Sequence, residues 1–145
     1  MHDPLPRFAA DLMTKDVVSL EESETLQFVE QSMRALRFRH MPVVDRGRLV
    51  GLISHRDVLR YSASSLLPHA KEQTHYLATK FLVRDVMTRD VATVAPDTPL
   101  LEVASRMQNG KLGCLPVVNG ENALVGIITE ADFVALCMRL LRESR

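Results

Sequence analysis

A stretch of seven residues occurs twice in this chain, and the duplication limits the folds that the chain can adopt. Gly51–Asp57 has the sequence GLISHRD, and Gly126–Asp132, 75 residues later, has the sequence GIITEAD. In both copies a glycine and two apolar residues precede a hydroxyl residue, and an aspartate follows three positions later. This pattern predicts a strand that ends at the first turn of a helix. The free N–H groups of such a turn favour an anion or a phosphate.

The rest of the chain repeats in the same order, which predicts two similar units. Asp11–Thr14 (DLMT) matches Asp85–Thr88 (DVMT), and residues 17–19 and 91–93 each predict a short strand after these openings. An amphipathic helix follows in each copy. Its predicted N-caps are Ser23 and Asp97.

Each copy continues with a predicted β-hairpin and a second helix. Met41–Val44 and Leu115–Val118 are apolar runs that contain a proline, and turn residues separate each run from the duplicated stretch. The second helices are predicted to start near His55 and Glu130. The resulting order of strand, helix, strand, strand, helix predicts an α/β (α+β) fold class.

The repeat also predicts the domain organisation. A unit of roughly 60 residues buries little surface alone, so we expect the two units to pack together about a pseudo-twofold axis. The predicted boundaries are an N-terminal extension over residues 1–10, repeat 1 over 11–61, a partly helical linker over 62–82, repeat 2 over 83–142 and a tail over 143–145.

Composition and charge argue against several functional classes. The chain has 18 basic and 18 acidic residues, so it has no general attraction for nucleic acid or anionic membrane. No apolar run approaches the roughly 18 residues that span a bilayer, and the start lacks a signal-peptide pattern, which together predict a cytoplasmic protein without a membrane segment. Nucleic-acid binding remains a weaker hypothesis, and it would use an arginine patch at Arg34, Arg37, Arg39 and Arg46.

The residues that could carry catalysis or bind a metal show no suitable spacing. Cys114 and Cys137 are too far apart in sequence for a C-x-x-C site and are predicted to be reduced core thiols. The five histidines lack metal-ligand spacing, and no nucleophile stands with a spaced acid and base. The sequence therefore contains no evident catalytic group of residues and predicts no metal site.

Taken together, the duplicated elements resemble a tandem pair of cystathionine beta-synthase (CBS) domains, the arrangement called a Bateman module. The likeness covers about Asp11 to Leu141 and includes the Met-Thr openings, the Pro-Val-Val strands with Asp45 or Asn119 after them, and the duplicated stretch. The resemblance implies a regulatory module that is not itself an enzyme. Its clefts would bind AMP, ADP, ATP or S-adenosylmethionine as a regulatory ligand, with no tightly bound cofactor.

The resemblance also implies roles for individual residues. In the family, the aspartate takes the ribose hydroxyls, the hydroxyl residue and the residue before the aspartate face the phosphates, and the loop at the first strand contacts the base. A carboxylate has enough acceptor sites for both ribose hydroxyls, which agrees with that role. Carried over, one cleft contains Ser54, Arg56 and Asp57 with Thr88 and Thr93 from the other repeat. The other contains Thr129 and Asp132 with Thr14 and Ser19.

The two predicted clefts differ in their basic residues. Arg39 and Arg56 belong to the first copy, and the second copy has a glycine and an alanine at the matching positions. We therefore expect the Asp57 cleft to prefer a phosphorylated adenosine nucleotide, with both arginines as charge partners. The Asp132 cleft is expected to be weaker, to be empty, or to take a less anionic adenosyl ligand.

A second interpretation needs no ligand. Ser54-x-x-Asp57 and Thr129-x-x-Asp132 also fit capping boxes, in which the acid accepts from the N–H of the cap residue. The chain would then be a structural or dimerisation module. In either interpretation the last helix has apolar residues on more than one side, including Val134 and Met138, which predicts a homodimer. With no second domain in view, a regulatory signal would pass to a separate effector protein or through the dimer.

Overall fold

A computed structural model describes residues 3–62 and 81–145. Most of the predicted linker, residues 63–80, lies outside the described residues. The described residues form two compact units. Residues 18–91 form one, here called the Asp57 unit, and residues 1–17 with 92–145 form the other, called the Asp132 unit.

The order of helices and strands is the same in both copies of the repeat. The first copy contains α1 (Ala9–Leu12), α2 (Leu26–Leu36), β1 (His40–Asp45), β2 (Arg48–Ser54) and α3 (His55–Ser62). The second contains α4 (Val83–Val86), α5 (Leu100–Gly110), β3 (Cys114–Val118), β4 (Leu124–Thr129) and α6 (Glu130–Glu143). The predicted hairpins are present, and the second helices start at the predicted residues. The α/β fold class is confirmed.

In the Asp57 unit, the sheet is a hairpin with one further residue paired on each edge. Strands β1 and β2 are antiparallel, with a register shift between Val43 and Val44. Leu20 pairs in parallel with Val43 on one edge, and Thr88 pairs antiparallel with Leu52 on the other. Thr88 belongs to the segment Asp85–Thr88, which opens the second repeat. This segment therefore completes the sheet of the first repeat, which contains Ser54.

The Asp132 unit has the same arrangement, but here the segment that completes the sheet comes from the start of the first repeat. Strands β3 and β4 form the antiparallel hairpin. Val94 pairs in parallel with Val117 on one edge, and Thr14 pairs antiparallel with Ile127 on the other. The opening of each repeat therefore packs in the unit built on the hairpin of the other repeat.

The strands predicted at residues 17–19 and 91–93 do not form, because a proline stops each ladder. Leu20 donates its N–H to the carbonyl of Pro42 and accepts from the N–H of Val44, both at 2.9 Å. The next rung toward residue 18 would need an N–H from Pro42, which proline lacks. Pro116 ends the ladder at Val94 in the same way. Each predicted strand is thus reduced to one paired residue.

The predicted helix caps were also wrong, by two residues. Helix α2 begins after Thr25, whose hydroxyl accepts from the N–H of Phe28 at 3.2 Å. Thr25 is held extended by its antiparallel bridge with Leu82, so the helix cannot begin at Ser23. Helix α5 likewise begins after Pro99, which bridges Phe8, and so it starts later than a cap at Asp97 would allow.

Each unit has a hydrophobic core of its own, and the exchanged openings contribute to both. Val83 and Met87 lie in the core of the Asp57 unit. Ala9 lies in the core of the Asp132 unit, with Leu12 and Met13 packed against it. Residues before each repeat's own hairpin therefore stabilise the other unit.

The contact between Gly126 and Met13 gives a prediction about stability. A Cβ built on Gly126 would lie 2.8 Å from Cγ and 3.0 Å from Cβ of Met13, and closer still to Sδ. Gly126→Ala must therefore displace the Met13 side chain from its position, and we expect it to lower the free energy of unfolding by about 1–3 kcal/mol. Gly120→Ala is the matched control, because nothing lies within 4 Å of its Cβ position. Thermal unfolding of both variants tests this, and equal midpoints would contradict it.

Candidate ligand-binding site

The aspartate of the first duplicated stretch is held in a defined position at the start of α3. Asp57 Oδ2 accepts from the backbone N–H of Ser54 at 2.8 Å and from its hydroxyl at 2.9 Å. In return, the N–H of Asp57 donates to Ser54 Oγ at 3.1 Å. This is a reciprocal capping box, as the ligand-free interpretation predicted. All the described hydrogen bonds of the carboxylate go to Oδ2.

The second duplicated stretch forms nearly the same arrangement at the start of α6. Asp132 Oδ2 accepts from the N–H of Thr129 at 2.8 Å and from its hydroxyl at 3.2 Å. Both aspartates and both hydroxyl residues are half-buried. Each unit therefore presents one fixed carboxylate whose Oδ1 takes no part in the described cap bonds.

In the Asp57 unit, Arg39 and Thr88 lie next to this capped helix start. The carbonyl of Arg39 accepts from the N–H of His55 at 2.7 Å, which ties the residue before β1 to the first residue of α3. Thr88 and Leu52 exchange backbone hydrogen bonds of 2.8 and 2.9 Å, two residues before Ser54. The fold thus brings Arg39 and Thr88 close to the Ser54–Asp57 motif.

In the Asp132 unit, Thr14 takes the place of Thr88. Thr14 and Ile127 exchange backbone hydrogen bonds of 2.9 and 3.0 Å, two residues before Thr129. The carbonyl of Gly113 accepts from the N–H of Glu130 at 3.2 Å, as Arg39 does in the other unit. The backbone scaffold of the two helix starts is therefore the same, and the side chains distinguish them.

Thr93 was predicted to line the cleft of Asp57, and Ser19 the cleft of Asp132, but each residue lies in the other unit. Thr93 belongs to the Asp132 unit, where its carbonyl accepts from Arg106 at 3.2 Å. Ser19 belongs to the Asp57 unit and is exposed. The role of each in the other unit's cleft stays a prediction.

The arginines predicted to face phosphate are available for a ligand. Arg39 and Arg56 are exposed, and the described ion pairs include neither. Arg34, one member of the predicted nucleic-acid patch, pairs with Glu30 at 2.9 Å on the surface of α2. This pairing partly neutralises the patch.

The two cysteines lie in different environments. Cys114 is buried at the start of β3, and burial raises the pKa of its thiol to about 12. Cys137 is exposed on α6, so its predicted place in the core was wrong. Since the thiolate is the reactive form of cysteine, Cys114 is expected to be inert at neutral pH.

This difference can be tested in a Cys137→Ser variant, which leaves Cys114 as the single thiol. We expect no reaction with a chromogenic disulfide reagent at about pH 8 while the protein is folded, because the thiol is protonated and shielded. The same sample in denaturant should release one equivalent of chromophore and serves as the control. Reaction of the folded protein at the rate of the denatured one would contradict the assignment.

Neither a metal-binding cluster nor a membrane-spanning helix occurs in the part of the chain that the structure describes. Residues 3–62 and 81–145 contain no group of three or more histidine, cysteine or acidic side chains arranged to hold a metal ion. Within the same ranges, no helix has the length and apolar character needed to cross a membrane.

Sequence reasoning missed an open cleft beside α6 in the Asp132 unit. The cleft has a volume of about 740 Å³, and one wall is the segment from Asp3 to Phe8. The other wall is a face of α6 that includes Asp132, Leu136 and Arg139. The helical spacing of these three residues was the signal in the sequence, but the partner segment could not be identified without the fold.

The wall formed by the N-terminal segment is fixed to its own unit. Asp11 Oδ2 accepts from the N–H groups of Arg7 and Phe8 at 2.8 and 2.9 Å. These two backbone hydrogen bonds, first that from Arg7, lower the pKa of the Asp11 carboxyl below its ordinary value. Leu100 also donates its N–H to the Arg7 carbonyl at 2.8 Å. These bonds hold the segment beside α6.

Comparison with known families agrees with the fold and with the duplication of the sequence. The sequence profile described as the CBS domain matches residues 9–64 and 83–139. The chain therefore belongs to the CBS domain family, and it contains a tandem pair of these domains.

Two curated relatives illustrate where such pairs occur. An uncharacterized protein of Methanocaldococcus jannaschii, MJ1225, is 34% identical over 84% of this chain. A homoserine O-acetyltransferase of Methanococcoides burtonii is 33% identical over 85%. The chain spans only 44% of the first relative and 22% of the second.

Solved structures show the same pair. A candidate acetoin utilization protein, AcuB, from Vibrio cholerae is 40% identical with a TM-score of 0.79, and 93% of each chain is covered. The CBS domain pair of protein MJ0100, solved with 5′-methylthioadenosine and S-adenosyl-L-methionine, is 25% identical with a TM-score of 0.74, over 90% of this chain and 98% of that one. The cytosolic domain of the Mg²⁺ channel MgtE, solved with ATP, is 29% identical with a TM-score of 0.69, over 90% and 48%.

Proposed function

We propose that this protein is a regulatory module that binds an adenosine nucleotide or S-adenosylmethionine and passes the signal to a partner protein or through its own dimer. The observation that carries the proposal is the state of the Asp57 carboxylate. Its Oδ2 is fixed by the capping box, and the described hydrogen bonds leave Oδ1 unused. One carboxylate oxygen has two acceptor sites, enough for the two hydroxyls of a ribose. The capping box therefore positions the acid for a ligand as well as stabilising the helix.

The ligands of the related structures support the chemical class. One similar CBS pair was solved with two adenosyl compounds, and a second similar domain was solved with ATP. All three compounds contain an adenosine-type ribose, which is the group that an aspartate at this position can bind. The class of ligand is therefore better supported than any single member of it.

The charges around the two aspartates favour different ligands. In the Asp57 unit, Arg56 lies beside Asp57 in the first turn of α3, and Arg39 is tied to the same turn through its carbonyl. Neither takes part in the described ion pairs, so both can pair with phosphate oxygens. The matching positions in the Asp132 unit carry no charge. We therefore assign phosphorylated nucleotides to the Asp57 motif, with a weaker or less anionic ligand at the Asp132 motif.

A thermal-shift panel tests the proposal. The panel contains AMP, ATP, S-adenosylmethionine and a short DNA duplex, because a ligand that binds only the folded state raises the melting temperature. A saturable rise with an adenosyl compound is the expected result. A rise with the duplex alone would favour the arginine patch instead. No response to any adenosyl compound at millimolar concentration would leave the capping boxes as purely structural.

Dimer formation is the second part of the proposal, and an exposed surface of α6 supports it. Val134, Met138 and Leu141 lie at helical spacing on one face, with exposures of 59%, 48% and 63%. Exposed apolar surface of this kind is typical of protein–protein contacts. The face is separate from the side of α6 that lines the cleft, so a ligand and a second copy can bind together. Even if no nucleotide binds, this face supports a dimerisation module.

A further inference from the structure

The cleft between the N-terminal segment and α6 contains an arginine that lacks a partner at one buried atom. Arg139 Nε is buried and has no hydrogen-bond partner. The described ion pairs do not include Arg139. A buried donor without an acceptor is costly, and a charged one more so. An acceptor supplied by a bound molecule would remove this cost.

The remaining surfaces of the cleft indicate what else such a molecule carries. Apolar side chains form most of the lining, and two of them, Leu5 and Phe8, expose 62% and 43% of their surface. A second arginine, Arg7, lines the same cleft. A small molecule with an apolar body and an anionic end therefore suits the apolar lining and the two arginines.

The charge of that end is limited by the acids in the lining. Asp3, Asp11 and Asp132 outnumber the two arginines, so the formal charge of the lining is negative by one. The carboxylates of Asp11 and Asp132 each accept from two donors, which reduces but does not remove their repulsion of an anion. A doubly charged phosphate is disfavoured here, whereas a single carboxylate can pair with a guanidinium through two parallel hydrogen bonds.

We propose that this cleft of the Asp132 unit binds small apolar carboxylic acids, with Arg139 pairing the carboxylate and the segment from Leu5 to Phe8 covering the apolar body. Long helical side chains lean toward the helix N-terminus, which from Arg139 is the direction of Leu136 in the same lining. The carboxylate then sits inside the cleft and the apolar body lies between the two walls. This site does not include Asp57, so it is separate from the phosphorylated-nucleotide site of the proposed function, but its lining shares Asp132 with the second motif.

The test uses 3-phenylpropanoate and the neutral 3-phenylpropan-1-ol, which share an apolar body and differ in charge. The Arg139 Nε–H resonance and the backbone amides are followed by nuclear magnetic resonance during titration. We expect saturable shifts at the cleft with the acid, and binding of the alcohol at least about tenfold weaker, because it lacks the charge-assisted pair. No saturation below about 10 mM acid, or equal binding of acid and alcohol, would overturn the proposal.

Variants then assign the interaction to residues. Arg139→Gln should weaken binding of the acid at least about tenfold, and Arg7→Gln should weaken it less. Arg142→Gln is the matched control, because Arg142 lies on the same helix, is exposed and does not line the cleft. Asp57→Asn should leave acid binding unchanged. Undiminished binding in a folded Arg139→Gln protein would overturn the proposal.

Discussion

Replacing Asp57 by asparagine is expected to lower the affinity for AMP about 100-fold or more, because the amide removes the charge that strengthens hydrogen bonds from the ribose hydroxyls. The same change weakens the capping box, since the amide is neutral and has a single acceptor oxygen, which cannot serve both Ser54 and the ribose as the carboxylate can. We expect this loss to cost about 1 kcal/mol of stability. Calorimetric titration of the folded variant with AMP measures the first effect, and thermal unfolding without ligand measures the second.

The Asp132 unit supplies the matched control for this substitution. Asp132→Asn weakens the same N–H contact, which measures 2.8 Å in both units, so it should cost similar stability. If the Asp57 motif is the phosphate-preferring site, Asp132→Asn leaves high-affinity AMP binding intact. Equal losses of AMP affinity in the two variants would contradict the proposed difference between the units. Unchanged AMP affinity in Asp57→Asn would contradict the assigned role of Asp57 itself.

The duplicated motifs made much of the fold predictable. Both hairpins and the starts of α3 and α6 follow from local patterns. At each helix start, the pattern is a strand that ends in a hydroxyl residue, with an acid three residues later. The short strands at residues 17–19 and 91–93 failed for a nonlocal reason. Whether they can pair depends on Pro42 and Pro116 in the neighbouring strands, and this pairing is not visible in the residues of the short segments.

The candidate site was predictable only in part, for a related physical reason. The capping geometry of Ser54 and Asp57 is local, so the spacing of the sequence contains it. The cleft that includes Arg139 instead depends on long-range packing, because the start of the first repeat packs in the unit built on the second hairpin. This packing places the segment before α1 beside the last helix of the chain. Neither wall alone has an unusual sequence, since a single arginine on a helix is ordinarily a solvated charge. Only the packing shows that its Nε is buried without a partner.

Substituting Met138 and Leu141 together by glutamate is expected to convert a dimer into a monomer. Two charges placed within the apolar face of α6 would have to be desolvated in the proposed contact, at a cost of several kcal/mol. Both side chains are largely exposed within the single chain, at 48% and 63%, so the substitutions should leave the fold intact. Light scattering during size-exclusion chromatography should give twice the 16.3 kDa chain mass for the wild type and the chain mass for the variant.

Met138→Leu separates the effect of charge from that of substitution at this position. It keeps an apolar side chain of similar volume, so the dimer should persist.

The experiment also relates assembly to ligand binding. Because the apolar face lies on a different side of α6 from Asp132 and Arg139, a monomeric variant should still bind AMP and 3-phenylpropanoate. A wild-type protein that elutes as a monomer at micromolar concentration would refute the dimer. A variant that loses ligand binding together with assembly would show that the two surfaces are coupled through α6, and a signal could then pass from ligand to dimer along this helix.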